Sequence, residues 1–239
     1  MIQASLNGPF TKDDHPALPI TGAELAASAA ECAAAGARSF HVHPRTEAGV
    51  ETLAADVIDT VVAAVKSSQP YPVGVGTGAW IEGSIARRLA NVSGWKVPDF
   101  ASVNVAEEGA FEVMRRLSIL GIDIEAGVWT VDDAEVLVRS DVVGSLARIL
   151  VEPVELDTPK ALEIVGTIHE ILDRGGVEVP RLQHGDGEAT WVLLEDAVRR
   201  GIDVRVGFED TFTLPDGSMA YTNADLVRAA MGIAGGARK

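Results

Sequence analysis

The chain has a single cysteine, Cys32, in 239 residues. An internal disulfide and a four-thiol zinc site are both excluded. Aromatic residues make up only 5%, too few for the stacking platforms that bind single-stranded nucleic acid. Basic residues are scarce: 20 Lys and Arg stand against 35 Asp and Glu, a formal net charge of -15. A phosphate backbone needs a basic footprint, so nucleic acid is not an expected partner. An anionic ligand would need arginines gathered locally. No apolar run approaches the roughly 18 uncharged residues of a membrane span, and the Ala-rich stretch 25–37 is broken by Glu31. The N-terminal MIQASLNGPF has no basic segment ahead of an apolar one. No secretory signal is therefore expected, and a cytoplasmic protein is the default.

What is present is a repeated alternation of short β-branched runs with longer Ala- and Leu-rich amphipathic stretches. Strands are predicted over 2–7, 37–43, 72–77, 100–105, 122–129, 146–152, 178–184 and 202–208. Helices are predicted over 22–35, 53–67, 84–91, 108–119, 131–139, 159–174, 188–200 and 223–235, with Thr21 and Thr130 as N-caps. Gly36, Gly121, Gly175 with Gly176, and Gly201 fall between a helix and the next strand, where a left-handed residue suits a helix end. Unbroken alternation implies parallel strands with crossover helices. Eight units in this length fit a single α/β domain over residues 1–239, a closed (β/α)8 TIM barrel. The competing open sheet lacks support, because no G-x-G-x-x-G follows the first strand.

Barrel chemistry sits at the C-terminal ends of the strands, and polar residues fall there repeatedly: Asn7 and Gly8; His41, His43 and Arg45; Thr77 and Gly78; Asn104; Glu125 on strand five and Glu152 ending strand six; His184 and Asp186; and Arg205, Glu209 and Asp210. In His41-Val42-His43 the two imidazoles share a strand face by period two. They make an incipient divalent-metal site that needs another ligand, and Glu209 is the best-placed carboxylate. Two hydrogen-bonded core histidines are the alternative. Arg205, Gly207 and Glu209 share a face as well. Arg205 is either half of a buried ion pair or the residue that orients a general base, Asp210. His184-Gly-Asp-Gly is a candidate phosphate loop by position, although no basic residue lies in it. His15 and His169 read as surface residues, and Cys32 as a small buried hydrophobe. Trp80, Trp95, Trp129 and Trp191 read as packing residues, with Trp80 and Trp129 near the rim.

Three blocks carry a family resemblance: NGPFTKDDHPALPIT, AAAGARSFHVHPR, and DVRVGFEDTFTLPDG followed by NADLV. With ASVNV and the HGDG segment they resemble the β-keto acid cleavage enzymes, in particular the shorter members, over nearly the whole chain. The resemblance implies a (β/α)8 barrel, a homo-oligomer (dimer or tetramer), and zinc held by His41, His43 and Glu209. It implies the conversion of a β-keto acid and acetyl-CoA into acetoacetate and a new acyl-CoA, with Asp210 as base and Arg205 holding it. Glu125 matches an acidic position of the family's fifth strand. Asn7, Arg45, Thr77, Gly78, Asn104, Glu125 and His184 are then the substrate-contact candidates, and Arg45, Arg148 and Arg181 the arginines for CoA. Two departures stand out. Where the family's first strand commonly ends in TGAE, this chain has Asn7-Gly8-Pro9-Phe10, so a pocket glutamate becomes Phe10. Where the family carries STGG, this chain has Gly76-Thr77-Gly78-Ala79. Phe10 and Trp80 would make the pocket more apolar and favour a substrate without a cationic amine. A metal-dependent aldolase or decarboxylase using the same enolate, and a ligand-binding barrel without turnover, are the alternatives.

Overall fold

A computed structural model describes residues 1–236. Eight strands run β1 Ile2–Ser5, β2 Ser39–Val42, β3 Val73–Gly76, β4 Phe100–Asn104, β5 Asp123–Val128, β6 Arg148–Val151, β7 Arg181–Gln183 and β8 Asp203–Val206. Each pairs in parallel with the next, and β8 closes on β1. The crossovers are α1 Gly22–Ala35, α2 Ala55–Ser68, α3 Ala79–Glu82 with α4 Ile85–Val92, α5 Ala110–Leu120, α6 Val131–Val138, α7 Thr158–Arg174 and α8 Thr190–Arg200, and α9 Asn223–Gly236 follows β8. This is the (β/α)8 barrel expected from the alternation. The short α3 is an addition to the expected elements. Among the described residues no helix is long and apolar enough to cross a membrane.

Local chemistry sets the helix starts. Thr21 caps α1 and forms a reciprocal box with Glu24, and Thr130 does the same for α6 with Asp133. These bonds satisfy amide groups that the first helical turn leaves free. Gly201 ends α8 with φ 73°, a left-handed cap that returns the chain directly to β8.

The strands alternate by period two. Ala4, Phe40, Val42, Val75, Val103, Ala126, Val151 and Val206 join the apolar layer beneath the helices. The opposite faces are largely polar: Gln3, Ser5, Ser39, His41, Ser102, Glu125 and Arg205 are all buried. At the N-terminal end of the barrel, Phe100 fills space that exists because residue 74 is glycine; a Cβ there would lie 2.1 Å from its ring. Also in this lower layer, Glu125 accepts from Arg148 Nη1 at 2.6 Å and from Gln3 Nε2 at 2.9 Å.

Candidate active site

The C-terminal mouth opens into a cavity of about 690 Å³, within the range of small-molecule sites. On its floor, His41 Nε2 and His43 Nε2 lie 3.1 Å apart, because both imidazoles leave the same face of one strand. Glu209 completes the group: its Oε1 is 3.1 Å from His43 Nε2 and its Oε2 is 3.6 Å from His41 Nε2. Glu209 is held against the β1 loop by Gly8, which has φ +54°; a Cβ at residue 8 would meet Glu209 Cγ at 2.5 Å.

These residues fit a divalent cation. Tetrahedral zinc with N and O ligands at ordinary bond lengths sets donors about 3.3 Å from one another, and the distances here run from 3.1 to 3.6 Å. Glu209 Oε2 is buried without a hydrogen-bond partner, an arrangement a cation would relieve. Glu51 bonds Nδ1 of His43 from outside, the carboxylate–histidine backing common at metal sites. Burial opposes charge on every member. It drives His41 well below its ordinary value, whereas Glu209 and Glu51 outweigh it at His43 and hold that imidazole up to about 10. Arg205 and the two histidines likewise outweigh burial at Glu209 and keep it well below the usual carboxylate range.

Beside this group stands Asp210. Arg205 donates to its Oδ1 through Nε at 3.1 Å and Nη2 at 2.9 Å, and Nη2 also meets Glu209 Oε1 at 2.6 Å. Ser5 Oγ donates to Asp210 Oδ2 at 2.5 Å. On the far side, His184 Nδ1 lies 3.4 Å from Asp210 Oδ1, while its Nε2 meets Glu152 Oε2 at 2.8 Å. Trp129 Nε1 donates to the other Glu152 oxygen at 3.0 Å. Burial and Arg205 oppose charge on His184, but Asp210 and Glu152 prevail and raise it. Asp186, pushed up to about 6 mainly by burial, lies 3.9 Å from His184 Nδ1. His184, Asp186 and Asp210 also cluster closely enough to hold a cation. Arg205 bonds Asp210 Oδ1 and Ser5 bonds its Oδ2, so both oxygens of this carboxylate are engaged, whereas Glu209 Oε2 has no partner.

The other expected contacts divide. Gly78, Asn104, Thr77 and His184 line the cavity. The Thr77 hydroxyl is engaged, donating to Ser102 O at 2.8 Å and accepting from Arg88 Nη2 at 2.9 Å. Asn7 stands behind the lining and exchanges two 2.9 Å bonds with the backbone of His43. Arg45 also lies outside it, pinning the β1 loop through Gly8 O and Phe10 O at 2.8 and 2.6 Å. Glu125 is in the lower layer, paired with Arg148. Arg148 and Arg181 begin their strands, at the end of the barrel opposite the cavity. The HGDG loop presents Asp186 and Glu188 to the cavity, an acidic lining that disfavours phosphate. His15 and His169 are buried rather than exposed: His15 packs on Phe208 and Phe212 and bonds Ala220 O, and His169 bonds Gln183. Trp80 and Trp129 wall the cavity, whereas Trp95 and Trp191 bond Leu53 O and Thr213 O. Cys32 is buried, its thiol pushed up to about 12 by burial. At Gly76, a Cβ would meet His43 Cε1 at 2.8 Å, so a serine there would crowd this arrangement.

Several supporting residues had no sequence signal. Glu51 is carried to His43 by an isolated antiparallel bridge between Arg45 and Glu51. Arg88, on α4 and 1% exposed, meets Glu107 Oε2 at 2.6 Å and so fixes the loops that bear Thr77 and Asn104. Ser5, the last residue of β1, is the exception, because it lies one period-two step before Asn7.

Fold and site together define a parallel (β/α)8 barrel with a three-donor group that could hold a cation, and a braced carboxylate, at its C-terminal mouth. A profile described as beta-keto acid cleavage enzyme matches residues 1–137 and 157–239. The chain belongs to the β-keto acid cleavage enzyme family. Among solved structures, apo ObcA superposes with a TM-score of 0.72 at 18% identity, covering 91% of this chain and 61% of that one. A ternary complex of ObcA with a C4-CoA adduct and oxalate gives 0.73 at 18%, covering 92% and 64%. The N-acetylmannosamine-6-phosphate 2-epimerase from Clostridium perfringens gives 0.57 at 10%, covering 88% and 87%. These likenesses show the fold, and the chain spans less than two thirds of the ObcA chains.

Proposed function

We propose that the chain is a zinc-dependent β-keto acid cleavage enzyme, condensing a β-keto acid with acetyl-CoA and releasing acetoacetate and a new acyl-CoA. One observation carries this reading: His41, His43 and Glu209 converge beside an Asp210 held by Arg205, in a member of this family. Solved structures of a binary complex of ObcA with oxaloacetate, and of a ternary complex with a C4-CoA adduct and oxalate, support a keto acid and a CoA thioester as the two substrates here.

His41, His43 and Glu209 would hold the zinc, which would supply Lewis-acid polarisation of the substrate carbonyl. The proton between the two carbonyls is then acidic enough for a carboxylate to remove, and Asp210 takes it. Arg205 and Ser5 fix the orientation of Asp210, and His184, backed by Glu152, packs against it. The carbanion attacks the thioester carbonyl and CoA thiolate leaves. The thiolate adds to the original keto carbon, the bond from that carbon to the α-carbon breaks, and Asp210 returns its proton to the α-carbon of acetoacetate.

A second reading, a decarboxylase or aldolase that uses no CoA, is favoured by the lining: among its described residues the only Lys or Arg is Arg205, already paired with two carboxylates. One experiment separates the two. Purified chain is assayed for metal by elemental mass spectrometry, then given β-keto acids with and without acetyl-CoA. Near-stoichiometric zinc and new acyl-CoA formed only with acetyl-CoA is the expected result. Full-rate consumption without it selects the second reading, and absence of metal uptake leaves a ligand-binding barrel.

A further inference from the structure

The proposed reaction does not specify what the β-keto acid carries beyond its keto carbon, and the cavity wall bears on that. Phe10, Phe212, Trp80, Trp129, Val154 and Leu156 line the same cavity as the three-donor group. Phe10 and Phe212 meet edge to face at 5.0 Å. Trp80 is 57% exposed, and Val154 and Leu156 are each 58% exposed. Large apolar side chains left open to solvent around a cavity mark a surface meant to be covered. Val154 and Leu156 fall outside the apolar core, so the fold does not call for them. Val154 and Leu156 also lie in residues 138–156, the stretch between the two family-matched segments, whereas Phe10, Trp80, Trp129 and Phe212 lie within those segments.

Charge points the same way. Among the described lining residues, Arg205 is the only Lys or Arg, and it is paired with Asp210 and Glu209. A second carboxylate on a substrate would find no free cation and would face Asp186 and Glu188. Asp186 and Glu188 could pair with an ammonium, so what disfavours that group is the apolar wall rather than charge: laid on Phe10, Phe212, Val154 and Leu156 it would lose water without gaining a partner there.

We propose that this cavity selects β-keto acids whose tail is neutral, apolar and several carbons long, with Phe10, Phe212, Val154 and Leu156 covering the tail. The proposal rests on the β-keto acid reading above, and the test keeps the two apart. Zinc-loaded chain and acetyl-CoA are given β-ketohexanoate, β-ketooctanoate, β-ketoglutarate and a β-keto acid ending in an ammonium group. In parallel, each acid is titrated without acetyl-CoA while the fluorescence of Trp80 and Trp129 is followed. Each added methylene should raise kcat/KM and tighten binding by about fourfold, and both charged acids should fall at least about a hundredfold below β-ketooctanoate. Leu156→Asp should flatten the chain-length gradient with zinc content and circular dichroism unchanged. Turnover that prefers a charged tail, or ignores tail length, overturns the tail assignment and leaves the reaction standing. Fluorescence-detected selection of apolar tails without turnover overturns the reaction and leaves the selection. Neither turnover nor binding overturns both.

Discussion

Glu51 bonds Nδ1 of His43, leaving Nε2 as the ring nitrogen turned toward His41 and Glu209. The tautomer and angle of a donor are thereby set from a loop outside the cation group. Glu51→Gln keeps the shape but weakens this acceptor. Zinc affinity should fall about 10–100-fold, with the fold intact. Competition against a chromophoric chelator measures it, and an unchanged affinity would show that the bond does not orient the ligand.

Proton linkage gives a second expectation. In the metal-free chain burial disfavours charge on His43, but Glu209 and Glu51 hold its imidazole up to about 10. A nitrogen must be deprotonated to bind metal. Below pH 10, zinc therefore has to displace a proton from Nε2 while Nδ1–H stays on Glu51. Affinity should rise as pH rises, by about tenfold per unit through the neutral range. Near neutrality each zinc should release about one proton. Calorimetry in buffers of different ionisation heat measures this release, and a count near zero would mean that His43 is neutral before metal arrives.

Much of this site is written on strands, and that is why it could be read. Period-two spacing put His41 with His43 and Arg205 with Glu209, and the alternation of runs gave the barrel that brings β2 and β8 either side of β1. The residues that escaped reading act through contacts without a sequence period. Glu51 returns to His43 through a loop bridge. Arg88 looks like the solvent face of an amphipathic helix until Glu107, from the turn after β4, is placed against it. His15 sits in a loop whose usual reading is surface, yet the two phenylalanines after β8 enclose it. Glu125 was placed on the right strand, but its position near the start of β5 puts it in the lower layer with Arg148.

The role given to Asp210 can be isolated from the metal. Asp210→Asn preserves the volume and an acceptor for Ser5, and Arg205 retains Glu209. Zinc content and melting behaviour should be close to those of the parent chain. Turnover should fall about 10²–10⁴-fold, the usual contribution of a positioned base. A variant with parental kcat would remove Asp210 from the proton transfer.

Arg88 and Glu107 test how the site is supported. Their side chains are 1% and 6% exposed, so removing one leaves a buried charge without its partner. Arg88→Met should cost about 3–5 kcal/mol of unfolding free energy. Adding Glu107→Gln removes the stranded charge and should restore part of that loss. Urea unfolding of the parent, the single and the double variant measures both effects, and a double variant no more stable than the single would show that the charge is not the cause.

Gly207 joins the fold to the chemistry. It lies between Arg205 and Glu209 in Arg205-Val-Gly-Phe-Glu209-Asp210, and a Cβ there would stand 1.8 Å from Ser5 O and 2.8 Å from Ser5 Oγ. The nearest atom is backbone of the neighbouring strand, so a rotamer change cannot make room, and β1 and β8 would have to separate. Across this seam Glu209 N donates to Ser5 O at 3.3 Å and Ser5 Oγ donates to Asp210. Gly207→Ala should therefore cost about 3 kcal/mol, the upper part of the usual overpacking range. It should also lower turnover beyond what the unfolded fraction explains, because Asp210 loses its Ser5 brace. Ser5→Ala provides the control: it removes the brace without the clash, so it should reproduce the loss of turnover with little loss of stability. If both variants lost only stability, the close approach of β1 and β8 would serve barrel closure alone.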